Sequence, residues 1–257
     1  MESPSSIDPQ EIAKFALLAD EWWNPNGPFA PLHRFNPLRL NFIRDMAAEH
    51  FGRDVRARHP FEALSLLDLG CGGGLLSEPM ARLGFAVTGC DAAEENVRAA
   101  RVHAAGGGIV VDYRCGTAES LAEEGVSFDL VLAMEIVEHV ADTGAFIETA
   151  ARLLRPGGLM FVATINKTLK SLALAKIGAE YVLRWLPRGT HDWNRFLSPG
   201  SLGRMIEDQS LTVLRTAGMN FDPFTWQWRL SRDADVNYVV VASRPHLPVY
   251  RPAAAPT

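Results

Sequence analysis

The chain is short of positive charge. It carries 25 lysines and arginines against 30 acids, a net charge of −5 over 257 residues, which argues against general nucleic-acid binding because that requires a basic footprint. It lacks any run approaching the ~18 apolar residues of a membrane-spanning helix, so no crossing is expected. Cysteine is scarce: Cys71, Cys90 and Cys115 cannot all pair. With no signal peptide ahead of them, reduced thiols in a cytosolic compartment are expected. All three fall at predicted strand ends, which admits a thiolate metal site, although buried inert cysteine is the commoner state. No internal repeat is found. What is present is ordinary for a globular protein, 47% apolar and 21% charged, and long enough for one α/β domain with a large core or at most two small ones.

The informative stretch is Leu64–Leu76. A run of branched apolar residues ends in Asp68-Leu69-Gly70-Cys71-Gly72-Gly73-Gly74 and then resumes helical spacing. That pattern reads as a buried strand turning sharply into a helix. Glycine lets a ligand lie against the backbone and supplies positive φ where a turn needs it. The following helix would point its free amides into the gap, as at a nucleotide-type cofactor site.

The dinucleotide fingerprint needs Gly-x-Gly-x-x-Gly. Counted from Gly70, its third glycine falls on Leu75, which weakens a pyrophosphate reading. Asp68 weakens it further, since a carboxylate at the strand end repels phosphate and suits a cation. S-adenosylmethionine has the ribose and adenine, carries an ammonium and a sulfonium, and has no phosphate. Asp91 lies about 20 residues beyond Gly70, at the end of the next apolar run, where a carboxylate can accept both ribose hydroxyls. It could instead cap the next helix.

Along the chain, residues 1–7 read as a loose terminus. Asp8-Pro9-Gln10-Glu11 signals a helix start, with the helix running to about Trp23. Asn36-Pro37 starts a second helix by the same logic, carrying Arg39, which is either solvated or a fork for the cofactor's carboxylate. Two helices ahead of the first strand would cover the cofactor mouth. Strands are predicted at 64–69, 85–90, 109–114, 128–133, 159–165, 211–217 and 236–243, and helices at 74–83, 93–105, 142–154 and 198–208. Arg155-Pro156-Gly157-Gly158 reads as a helix stop before a strand. The alternation implies an α/β, Rossmann-like, seven-stranded sheet with helices on both faces. A single domain is expected over 8–245, with a lid insertion at about 166–196 and a disordered tail over 246–257.

The glycine turn, Asp91, Phe128-Asp129 and Arg155–Gly158 resemble class I S-adenosylmethionine-dependent methyltransferases. More narrowly, Pro31-Leu32-His33-Arg34-Phe35-Asn36-Pro37-Leu38-Arg39, Met134-Glu135-Ile136-Val137-Glu138-His139-Val140 and Gly189-Thr190-His191-Asp192-Trp193 resemble the O-methyltransferases of ubiquinone biosynthesis. The resemblance implies O-methylation of a polyprenylated hydroxyphenol and of demethylubiquinol. It also implies that Arg39, Gly70, Asp91 and Met134 contact the cofactor. Other enzymes of ubiquinone biosynthesis are candidate partners.

Methyl transfer to a phenol requires the phenol to lose its proton, and a phenol titrates near pH ~10 by analogy with tyrosine. Glu135, Glu138 and His139 follow the fourth strand, and at i, i+3 and i+4 of a helical turn they would share a face. They could hold a divalent ion: Mg²⁺ by the resemblance, Mn²⁺ or Zn²⁺ equally by ligand type. Without metal, His139 would be the base, oriented by a glutamate. The plainest alternative has the glutamates complementing a helix N-terminus while His139 packs. His191-Asp192 is a rival pair, better suited to a substrate lid with Trp193 and Phe196 as cover.

Residues 166–188 are basic within an acidic chain, with Lys167, Lys170, Lys176, Arg184 and Arg188 against Glu180 and an apolar stripe at helical spacing. Such a segment can lie in a bilayer surface or pack as a lid. A membrane-resident substrate favours peripheral contact at the inner face of the membrane from the cytoplasm. The other readings are a different small phenolic acceptor, and a non-catalytic membrane-associated scaffold that binds the cofactor.

Overall fold

The computed structural model describes residues 6, 8–168, 195–222, 225 and 227–246. Helix α1 spans Pro9–Ala16 and is capped by Asp8, whose side chain accepts the Gln10 N–H. It stops well short of Trp23, a 3₁₀ turn at Ala19–Glu21 taking over. Helix α2 is Ala30–Phe51, longer than expected: Pro31 already satisfies the first-turn rule, and Pro37 lies inside the helix, where it forfeits one backbone bond. Gly52 closes α2 in the left-handed conformation.

The sheet comprises β1 (Ser65–Leu69), β2 (Ala86–Asp91), β3 (Asp112–Cys115), β4 (Phe128–Met134), β5 (Leu154–Ile165), β6 (Thr212–Asp222), β7 (Gln227–Ser231) and β8 (Asn237–Ser243). Helices α3 (Ser77–Arg82), α4 (Glu94–Gly106), α5 (Ala118–Glu123), α6 (Thr143–Arg152) and α7 (Pro199–Glu207) connect them. The order is β3-β2-β1-β4-β5-β8-β6-β7. Strands β1–β5 pair in parallel, while β8 is antiparallel to β5 and β6, and β7 to β6.

Among the described residues, eight strands stand where seven were expected. The addition, β7, has the burial pattern of an exposed edge, so it lacks the apolar run that marks the others. The third strand begins at Asp112 and not at 109, because Gly107 and Gly108 extend the turn after α4. Arg155–Gly158 is no helix stop. Helix α6 has already ended, and these residues lie within β5, where its register against β4 shifts after Phe128.

Strand residues alternate between two cores. Leu67, Leu69, Val131, Ala133, Met160 and Val162 pack with α5, α6 and α7. Leu66, Leu130, Leu132, Met134, Phe161 and Ala163 pack with α2 and α3 on the other side. A sheet buried on both faces explains the unbroken apolar runs. Chain order reverses between β1 and β4, so the crevice at their carboxyl ends is the natural ligand site. Among the described residues, no helix is long and apolar enough to cross a membrane.

Candidate active site

A cavity of about 780 Å³ opens at that crevice. Gly70 (φ +68°) follows β1, and Gly72 (φ +53°) and Gly74 (φ +86°) continue the left-handed bends that glycine alone takes readily. A Cβ on Gly70 would collide with Ile136, and one on Gly72 or Gly73 with the Trp22 indole. The loop amides do not all wait for a ligand. Gly70 and Cys71 N–H donate to the Cys90 carbonyl at 2.8 and 3.1 Å, and α3 begins only at Ser77.

Asp91 is fixed by three donors of the chain itself, while the cap position of α4 falls to Ala93. One carboxylate oxygen accepts the Gly72 N–H at 2.9 Å. The other accepts Ala93 N–H at 2.9 Å and the Asn96 amide at 3.1 Å. Burial raises its carboxyl above the ordinary value despite those donors. Asn96 also accepts from Trp22 Nε1 at 2.8 Å, and Trp22 stacks on Phe29 with centroids 3.8 Å apart. The N-terminal layer thus closes over the glycine loop, as expected of helices preceding the first strand.

Arg39 is not solvated: it is 3% exposed. One guanidinium nitrogen donates to Asn36 Oδ1 at 2.8 Å, and Asn36 donates to the Leu75 carbonyl at 2.6 Å, so α2 and the glycine loop are fastened together. Its Nε is buried without a partner, and burial lowers its pKa against the pull of Glu135 and Asp68. Asp68 accepts from Ser77 at 2.6 Å, and burial pushes its carboxyl up to about 6. A buried cation with an unused donor beside buried carboxyls matches the zwitterionic end of an amino acid. Arg39, Gly70, Asp91 and Met134 all line this one cavity. The chain's groups fit S-adenosylmethionine.

The expected metal trio is not assembled. Glu135 takes φ +58° at the end of β4, and residues 135–140 form bends and turns in place of a helix, so the i, i+3, i+4 face does not exist. Glu135 Oε1 is buried and unpartnered. Burial and Glu138 push its carboxyl up to about 7. Glu138 accepts from Thr164 at 2.8 Å, and His139 Nδ1 meets Glu11 at 2.8 Å. Among the described residues, no three His, Cys, Asp or Glu side chains are grouped to hold a metal ion. The donor set does not fit Mg²⁺.

Several site residues escaped the sequence. Trp228 on β7 stacks on Phe35 at 4.2 Å, lining the cavity with Phe221 and Met219. Asn36 could have been found from its i, i+3 spacing to Arg39; Glu11 and Thr164 had no local signal. Cys71 and Cys90 are buried thiols as expected, whereas Cys115 is exposed. Phe196 is buried against Ile165. His191, Asp192 and Trp193 lie outside the described residues, as do the tail from 247 and the basic segment apart from residues 166–168.

Residues 67–162 match the methyltransferase-domain family. Among solved structures, a magnesium protoporphyrin IX methyltransferase from Synechocystis PCC 6803 with bound SAH superposes with a TM-score of 0.58 at 18% identity, covering 90% of this chain and 99% of that one. An S-adenosylmethionine-dependent methyltransferase from Clostridium acetobutylicum gives 0.59 at 12% identity, with 91% and 98% covered. Fold and cavity together define a class I S-adenosylmethionine-dependent methyltransferase.

Closer relatives narrow this. A ubiquinone biosynthesis O-methyltransferase of Chelativorans sp. (strain BNC1) is 57% identical over 241 residues, 94% of this chain and 95% of that protein. One from Caulobacter vibrioides is 57% identical over 240 residues, 93% and 95% of the two chains. The chain belongs to the ubiquinone biosynthesis O-methyltransferase family.

Proposed function

We propose that the protein transfers a methyl group from S-adenosylmethionine to a phenolic oxygen of ubiquinone precursors, of the polyprenyl-hydroxyphenol and demethylubiquinol kind. The observation that carries this reading is that one cavity joins the cofactor-type groups Arg39, Gly70 and Asp91 to an apolar wall and to His139. Arg39 holds the cofactor's carboxylate, Asp91 its ribose hydroxyls, and Met134 packs beside the reacting methyl. The bound sulfonium supplies an electrophilic methyl. His139 Nε2 takes the phenolic proton; the oxygen then bonds to the methyl carbon while the carbon–sulfur pair remains on sulfur, leaving a neutral thioether. The N-terminal layer excludes water from that step. No divalent ion enters this account, because the acids near His139 are already engaged or turned apart.

Peripheral membrane contact by the basic segment, and assembly with other enzymes acting on the same insoluble intermediates, follow from where a polyprenyl substrate resides. Anionic vesicles should retain the protein at low salt and release it at high salt. Recovery wholly in the supernatant would remove that contact. The activity itself is tested with methyl-labelled cofactor and a short-chain demethylubiquinol. Labelled product is expected from the prenylated acceptor, with and without chelator. Turnover only on unprenylated phenols would redirect the substrate class, and cofactor binding without any turnover would leave a scaffold.

A further inference from the structure

His139 follows β4, yet what holds its ring comes from the other end of the chain. Its Nδ1 lies 2.8 Å from Glu11 Oε2, across 128 residues of sequence. The two side chains are 16% and 23% exposed. Phe15, one turn beyond Glu11 on α1, meets the imidazole edge-on with centroids 5.1 Å apart. Residues Glu11, Ile12 and Phe15 all line the cavity, so this face of α1 roofs the reacting groups.

The roof is fastened on three sides. Asp8 accepts from Arg195 at 2.6 Å. The Ser6 carbonyl accepts Ala141 N–H at 2.7 Å, and Ser6 N–H donates to Glu119 at 3.2 Å. Ser6 is thus held in place, although the sequence assigned it to a loose terminus. Lys14 lies 3.8 Å from the same Glu11 oxygen. The hydrogen bond to His139, with Lys14 and Arg195 as lesser contributors, keeps the Glu11 carboxyl below the usual range. An ionised carboxylate can only accept. Nδ1 must therefore carry a hydrogen, which leaves the Nε2 lone pair of a neutral ring as the proton acceptor.

We propose that Glu11 is the positioning residue for the catalytic base, and that seating α1 over the acceptor is what completes a competent His139. This rests on the reading of His139 as base. Glu11 does not touch the reacting atoms; it fixes the tautomer and aim of the ring that does, and it stabilises the imidazolium formed when the phenol is deprotonated.

The test compares two acceptors: a short-chain prenylated catechol, protonated at assay pH, and its nitro-substituted analogue, ionised there. With the first, E11A should lower kcat roughly 10–100-fold and H139A roughly 10²–10⁴-fold, the range of general-base contributions. With the ionised analogue, both should fall within about threefold of the parent, since no proton remains to be removed. E11Q should lie between, because it keeps an accepting oxygen without the charge. The double variant should be no slower than H139A, as for residues acting as a unit. Calorimetric affinity for the cofactor should be unchanged throughout.

Equal slowing of E11A on both acceptors would reduce Glu11 to a packing residue and overturn the proposal. Full-rate E11A beside slow H139A would remove the Glu11 role alone, and full-rate H139A on the prenylated catechol would remove the base reading beneath it. Should E11A fail to bind cofactor, E11Q decides by the same comparison.

Discussion

The carboxylate of Asp91 and the backbone N–H of Gly72 are joined at 2.9 Å. The acid at the end of β2 therefore shapes the glycine loop as well as lining the cavity. Substitution D91A should weaken cofactor binding by roughly 1.5–3 kcal/mol, the worth of hydrogen bonds to a charged group. Isothermal calorimetry checks this, and unchanged affinity would take Asp91 out of the site.

Arg39 has a buried Nε with no partner and one bond to Asn36. R39K keeps a charge but cannot reproduce the fork, so it should raise the cofactor KM about tenfold or more with little change in acceptor KM. N36A should show a weaker effect of the same kind, since it frees the guanidinium from the loop. A rise confined to acceptor KM would contradict both roles.

Stability should depend on pH through the buried acids. Asp68 is raised from 3.8 to about 6 and Glu135 from 4.5 to about 7. Between pH 4 and 7 the folded chain therefore holds more protons than the unfolded chain, and stability falls as pH rises. Urea midpoints of the cofactor-free protein should fall steadily across that range. E135Q, which cannot ionise, should flatten the slope; an unchanged slope would show that Glu135 does not titrate there.

Trp22 lies against Gly72 and Gly73 and donates to Asn96, which also holds Asp91. Cofactor binding should alter intrinsic fluorescence, and W22F should remove most of that change. W22A should cost about 3–5 kcal/mol of stability, as for a large core aromatic. A full fluorescence response in W22F would place the reporting tryptophan elsewhere.

Local features made the parallel half of the sheet legible. Glycine spacing, caps and apolar runs act between near neighbours, so Leu64–Leu76, Asp91 and the end of β4 could be read from the chain alone. The family resemblance then supplied Arg39 and Met134. Where a rule had two nearby places to act, the reading slipped. Pro31 opened α2 ahead of Pro37, and Arg155–Gly158 bent a strand instead of ending a helix. The half-exposed β7 left no apolar signature at all.

The chemistry around His139 was decided otherwise. Glu135, Glu138 and His139 are neighbours in sequence, but positive φ at Glu135 turns them apart. One finds Thr164 and another finds Glu11, partners that sequence distance conceals. Residue order determined the sheet edge and the cofactor it suits, because those depend on contacts a few residues long. Which acid meets the imidazole depended on α1 coming to rest across the carboxyl end of β4. Only the packed chain brings those two elements together.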